Sequence, residues 1–162
     1  MKASRVIFAC LLAGATGAAS LTAVAVSPAY AAVSYAQQVV DLTNQQRRSH
    51  GCGNLTVNAA LTRSAQGHSA DMAAHNYFAH NSQNGKTPGA RITSAGYSWS
   101  RWAENIAAGY QTPAQVVNGW MNSSGHRANI LNCKLRDIGV GYVYSGAAKY
   151  RTYWTQDFGT RR

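Results

Sequence analysis

Two stretches near the end of the chain, Asp137-Ile138-Gly139-Val140-Gly141-Tyr142-Val143-Tyr144 and Tyr150-Arg151-Thr152-Tyr153-Trp154-Thr155-Gln156, decide the fold class. In the first, Ile138, Val140, Tyr142 and Tyr144 alternate; in the second, Tyr150, Thr152, Trp154 and Gln156 do the same, with Ser145-Gly146 in the connection. Period-two alternation across a short turn predicts an antiparallel hairpin. The residues before it follow a different period. From Tyr35, the positions Ala36, Val39, Val40 and Thr43 have helical spacing, ending near Ser49-His50-Gly51. A second helix is predicted after Asn58, with Leu61, Ala65, His68, Met72 and His75 on one face. A short third runs from Pro88 to Ala95, halted by Gly96. A fourth starts at Thr112-Pro113, a capping hydroxyl followed by proline at the first helical position. Gly125-His126-Arg127 opens a brief helical turn through Ile130-Leu131. The aromatic segment from Tyr97 to Ala108 reads as irregular or partly extended. A helical body followed by a hairpin is an α+β chain.

The 162 residues carry 15 Lys+Arg against 5 Asp+Glu, a formal charge of +10. Residues 1–31 read as a secretory signal: Lys2 and Arg5 first, then an apolar run from Val6 to Leu12 continued by small residues, then an A-x-A pattern at Ala29-Tyr30-Ala31. The rival reading, a membrane anchor, is weaker because Gly14, Gly17 and several Ser/Thr dilute the run. Two cations lie in that leader, which leaves +8 on residues 32–162, read as a single domain and a monomer. These charges are scattered, with no long basic run and no nucleic-acid motif, so specific nucleic-acid binding is not expected. A solvated basic surface with affinity for anionic envelope components accounts for them. Export also makes a disulfide the natural reading of Cys52 and Cys133, the two cysteines beyond the leader.

Three segments combine chemically capable residues: Tyr77-Phe78-Ala79-His80, Ala103-Glu104-Asn105-Ile106-Ala107 and Gly125-His126-Arg127-Ala128-Asn129-Ile130-Leu131. Two imidazoles and a carboxylate hold a divalent metal if they converge, or otherwise polarise a water or anchor a hydrogen-bond network. Glu104 is the single glutamate of the chain, so any mechanism needing two is excluded. His68, mid-helix on an apolar stripe, reads as a packed, hydrogen-bonded histidine, and His75 and His50 as surface or cap residues. Asn105 is expected to satisfy backbone groups beside Glu104, and Arg127 to pair with an acid. Trp120 and Trp154 read as core, while Trp99 and Trp102 stay open between core and a cleft for lipid or sugar.

The order of these phrases resembles the CAP superfamily (cysteine-rich secretory proteins, antigen 5 and pathogenesis-related 1), in its bacterial secreted single-domain branch. The resemblance rests on Val40-Asp41-Leu42-Thr43-Asn44-Gln45-Gln46-Arg47, Ala65-Gln66-Gly67-His68-Ser69-Ala70-Asp71-Met72, Glu104-Asn105-Ile106-Ala107, Trp120-Met121-Asn122-Ser123 and Gly125-His126-Arg127. Ile138-Gly139-Val140-Gly141 and Tyr153-Trp154-Thr155-Gln156-Asp157-Phe158-Gly159 complete it. It implies an α-β-α sandwich with a central antiparallel sheet and a cleft in which His80, Glu104 and His126 hold zinc or another divalent ion. Many members carry a second glutamate near the positions of Ser123 and Ser124; this chain has none. A His–Glu–His set completed by water is the corresponding expectation.

Three functions follow as expectations. The first is a secreted binding protein whose cleft takes a metal and a small or extended ligand, such as a lipid, a sterol or an envelope component. The second is a metal-assisted extracellular hydrolase with Glu104 as base, against which stands the lack of HExxH and GxSxG motifs. The third is a basic, envelope-associated structural protein.

Overall fold

A computed structural model describes residues 33–162. The expected leader lies outside the described residues. The element order is α1 (Tyr35–Ser49), β1 (Thr56–Val57), α2 (Ala59–Ala74), α3 (Pro88–Ser94), β2 (Trp99–Ala108), α4 (Pro113–Met121), α5 (Ser124–Ile130), β3 (Asp137–Tyr144) and β4 (Thr152–Arg161). The helix starts follow their caps. Asn58 accepts from the backbone of Ala60 and Leu61, and Thr112 forms a capping box with Gln115 ahead of Pro113.

The hairpin is present: β3 and β4 pair antiparallel from Asp137↔Gly159 to Tyr144↔Thr152. The sheet order is β1-β3-β4-β2, which puts β4 in the interior and β2 on an edge. Two features depart from expectation. Residues 99–108, expected to be irregular or partly extended, form a continuous ten-residue strand, β2, paired antiparallel with β4. Its inward positions include Glu104 and Asn105, so no apolar alternation marks it. The short β1 also joins β3 in parallel, making the sheet mixed rather than purely antiparallel.

Helices cover both faces. On one, Val39 and Val40 of α1, Val116, Val117 and Trp120 of α4, and Ile130 of α5 meet Ile138, Val140, Trp154 and Phe158 of the sheet. On the other, α2 lies directly on β3. A side chain at Gly139 would overlap the backbone of Leu61 and Thr62, and one at Gly141 the backbone of Ala65 and Gln66. The Ile138-Gly139-Val140-Gly141 phrase thus alternates core side chains on one face with bare backbone for a helix on the other. Trp120 and Trp154 are core, as expected. Cys52 and Cys133 are bridged, with Cα atoms 5.0 Å apart. No helix among the described residues is long and apolar enough to cross a membrane.

Candidate functional site

The three candidate residues come from three elements around the free edge of β2. His80 lies in the segment after α2, Glu104 in the middle of β2, and His126 in the first turn of α5. Two of them touch: His80 Nδ1 lies 2.7 Å from Glu104 Oε1. The other carboxylate oxygen accepts from Arg91 Nη2 in an ion pair. Glu104 is 1% exposed and the His80 side chain 51%, so a buried carboxylate holds a solvent-facing ring. A carboxylate can only accept, so Nδ1 carries the proton, and in the neutral ring Nε2 presents a lone pair outward.

Arg91 ties this arrangement together. Its side chain is 9% exposed, and Nη1 donates to the carbonyls of His80 (2.7 Å) and Lys86 (3.2 Å). One guanidinium therefore neutralises Glu104 and fixes the chain that carries His80. His68 contributes from behind: Nε2 donates to the Ala79 carbonyl at 2.9 Å, beside His80. Burial, then the Arg91 charge, lowers its pKa and keeps it neutral. The packed reading of His68 holds.

His126 is placed by a buried amide relay. Gln156 Nε2 donates to Thr43 Oγ1 (2.8 Å), Asn105 Nδ2 donates to Gln156 Oε1 (3.0 Å) and also to the His126 carbonyl (3.2 Å). Asn129 Nδ2 reaches Asn105 Oδ1 and the Glu104 carbonyl. Asn105 does satisfy a backbone group, the His126 carbonyl, and so fastens α5 to β2, while Asn129 serves the Glu104 carbonyl. Arg127 does not pair with an acid among the described residues; it donates to the Met121 carbonyl. Within the described residues no hydrogen bond joins the His126 ring to His80 or Glu104. Burial lowers its pKa first, and the His80 charge second, so the two imidazoles are electrostatic neighbours.

Asp157 belongs to this site and sequence reasoning missed it. It pairs with Glu104 across the β2–β4 ladder, so the two carboxyls share one face. Asp157 is fully buried, and neither oxygen has a hydrogen-bond partner among the described residues. Burial, and then the Glu104 charge, push its pKa well above the usual carboxylate range and keep it protonated. The signals for Arg91 and Asp157 were faint: a single glutamate that needs a cation, and the one acid of the segment that forms β4.

A carboxyl whose pKa is raised in the fold stabilises it fully below the ordinary carboxylate pKa and loses that contribution as pH rises toward the folded value. Asp157→Asn is expected to raise the melting temperature at neutral pH and to flatten the decline from about pH 4 upward. The difference between the two melting profiles isolates Asp157 from His68 and His126, whose lowered pKa values act oppositely, weakening the fold as pH falls. Parallel profiles would contradict the assignment.

As a metal centre the set does not fit as expected. Among the described residues no three His, Cys, Asp or Glu side chains are grouped to hold an ion. Both Glu104 oxygens are committed to Arg91 and His80, so Glu104 orients a ring rather than offering a ligand atom. The same commitment moves the proton-accepting position from Glu104 to His80 Nε2, the exposed end of the pair.

Residues 40–158 match the family model of CAP, the Cysteine-rich secretory protein family. This chain belongs to the CAP family. It is 45% identical over 124 residues to "Uncharacterized protein YkwD" of Bacillus subtilis (strain 168), covering 76% of this chain and 46% of that protein. It is 36% identical over 122 residues to "Uncharacterized membrane protein YlbC" of the same organism, covering 75% of this chain and 33% of that one. An extracellular protein containing an SCP domain from Bacillus anthracis str. Ames superposes with a TM-score of 0.71 at 36% identity, over 79% of this chain and 40% of that one. An outer surface protein from Borrelia burgdorferi shares the fold, with a TM-score of 0.71 at 21% identity over 78% of this chain and 92% of that one. This CAP chain thus spans less than half the length of each of the three Bacillus proteins.

Proposed function

We propose that this CAP domain is exported and binds a small or extended ligand of the cell envelope in the cleft along β2. The observation that carries the reading is the His80–Glu104–Arg91 arrangement. A buried ion pair in the core of the fold is devoted to orienting one half-exposed imidazole, whose Nε2 faces outward. The leader-like first 31 residues and the extracellular Bacillus anthracis relative support export. The ligand classes in view are lipid, sterol and envelope components, sugar polymers among them. A divalent ion, zinc first, enters this reading as an exchangeable guest of His80 Nε2 and His126 with water completing the shell, and Glu104 is not a ligand.

The test is thermal. Zinc at millimolar concentration is expected to raise the melting temperature of the wild type. His80→Ala and His126→Ala are each expected to remove the rise, while Glu104→Gln reduces it by freeing the ring. A wild-type curve unmoved by zinc would end the metal part of the reading.

A further inference from the structure

We propose that the edge of β2 is a groove for an uncharged glycan chain, with Trp102 and Tyr110 as its stacking platforms. This rests on the cleft reading above and names its ligand class.

Three cavities follow the strand edge in sequence order. The first, about 600 Å³, is lined by Trp102, Ala103 and Glu104 together with His80, Asn81 and Asn129. The second, about 390 Å³, runs past Ile106, Ala107 and Ala108 to His126. The third, about 630 Å³, takes over at Gly109-Tyr110-Gln111 and is walled by Gln115, Asn118 and Asn122. Tyr110 lines both the second and the third. From Trp102 to Ala108 the strand covers about 20 Å at roughly 3.3 Å per residue, longer than a single sugar ring.

The chemistry of the lining selects the ligand. None of the described residues around these three cavities is lysine or arginine, although the chain is strongly basic. Its one carboxylate, Glu104, is buried and already paired. Apart from the imidazoles of His80 and His126, an anionic ligand finds no cationic group there. An acyl chain would bury the amides of the first and third cavities without giving them partners, which opposes binding. Neutral amides beside exposed aromatic rings match a pyranose, which has an apolar C–H face and a rim of hydroxyls that both donate and accept.

The two rings are also held in advance. Trp102 and Tyr110 are each 38% exposed. Each is seated on a glycine of a neighbouring helix. A Cβ at Gly89 of α3 would come within 2.9 Å of Trp102 Nε1, and one at Gly119 of α4 within 2.6 Å of Tyr110 Oη. Trp99 meets Trp102 edge-to-face, with centroids 6.2 Å apart, and the Tyr110 carbonyl accepts from Trp154 Nε1 at 2.8 Å. Rings fixed before binding lose little freedom when a ligand stacks on them.

The experiment uses the wild-type chain with soluble tetramers of β-1,4-linked N-acetylglucosamine and of β-1,4-linked glucose, read by calorimetry and tryptophan fluorescence. Binding of either tetramer, insensitive to added salt, is expected, and selectivity for the first shows that the acetamido group is read. Trp102→Ala and Tyr110→Ala should each weaken binding about tenfold. Gly89→Ala, which keeps the indole but takes its seat, should weaken it as well. Melting curves and near-ultraviolet dichroism report whether each variant is folded. Failure of the wild type to bind either tetramer at millimolar concentration overturns the proposal. So does unchanged binding in both ring variants, or binding of phosphatidylglycerol vesicles in place of the tetramers. The zinc response of His80 and His126 is read separately, so loss of either result leaves the other interpretable.

Discussion

Replacing Arg47 by methionine is expected to lower the unfolding free energy by about 4 kcal/mol. The Arg47 side chain is completely buried, yet it faces no carboxylate among the described residues. Its guanidinium instead donates to four carbonyls: Gly53 from Nε (2.9 Å), Ile130 and Asn132 from Nη1 (2.8 and 3.0 Å), and Leu135 from Nη2 (3.1 Å). Burial, then the charge of Arg136, lowers its pKa, the direction expected for a cation held away from water. Methionine retains much of the apolar stem and removes that charge, but it strands the carbonyls of Gly53, Ile130 and Leu135, each worth about 1–3 kcal/mol if left without a partner, while Asn132 keeps its bond from the Leu135 backbone N–H. The stranded groups outweigh the relieved charge because Gly53 and Leu135 lie in loops and Ile130 ends α5, so no sheet or helix bond reaches their carbonyls. Urea unfolding measures the outcome. Arg47→Lys should recover only part of the loss, since a point-like ammonium cannot span four acceptors. A methionine variant within about 0.5 kcal/mol of wild type would contradict the account.

Removing the Cys52–Cys133 bridge, by reduction or by a double serine replacement, is expected to cost about 4 kcal/mol. The bridged residues are 81 apart in sequence, so the reduced unfolded chain gains the freedom of a long loop. The same region is held by Arg47, whose carbonyl accepts from the Cys52 backbone at 2.9 Å and whose guanidinium grips Gly53 and Asn132, the neighbours of the two cysteines. The bridge and the arginine therefore clamp one junction between α1, α5 and β3. A double-mutant cycle between Arg47→Met and the serine pair should show a coupling of about 1 kcal/mol. Strict additivity would mean that the two act on separate parts of the fold.

How much of this could be read beforehand differs from element to element. The helices and the hairpin were legible because caps, period and turn residues lie close together along the chain. Strand β2 was legible only as partly extended, because its buried run, Glu104 to Ala107, begins with two polar residues that build the site and does not alternate. His80, Glu104 and His126 could be named from phrase and resemblance, and Glu104 stood out as the single glutamate. Their relation could not be named. The expected three-ligand set proved to be a paired carboxylate orienting one ring, with the second ring a neighbour. The role expected for Arg127 belongs to Arg91, whose position in a short helix gives no hint that it points at Glu104.

The amino-acid sequence by itself determined the fold class, the family, the covalent clamp and the residues around which chemistry would gather. These depend on local pattern and on the identity of rare side chains. Tertiary structure alone decided who pairs with whom. The register of β2 on β4 sets Asp157 beside Glu104, the bare backbone at Gly139 and Gly141 admits α2, and the seats at Gly89 and Gly119 turn two aromatic rings outward. Each of these is a contact between positions far apart in the chain, and its sign depends on distance and burial that no local pattern encodes.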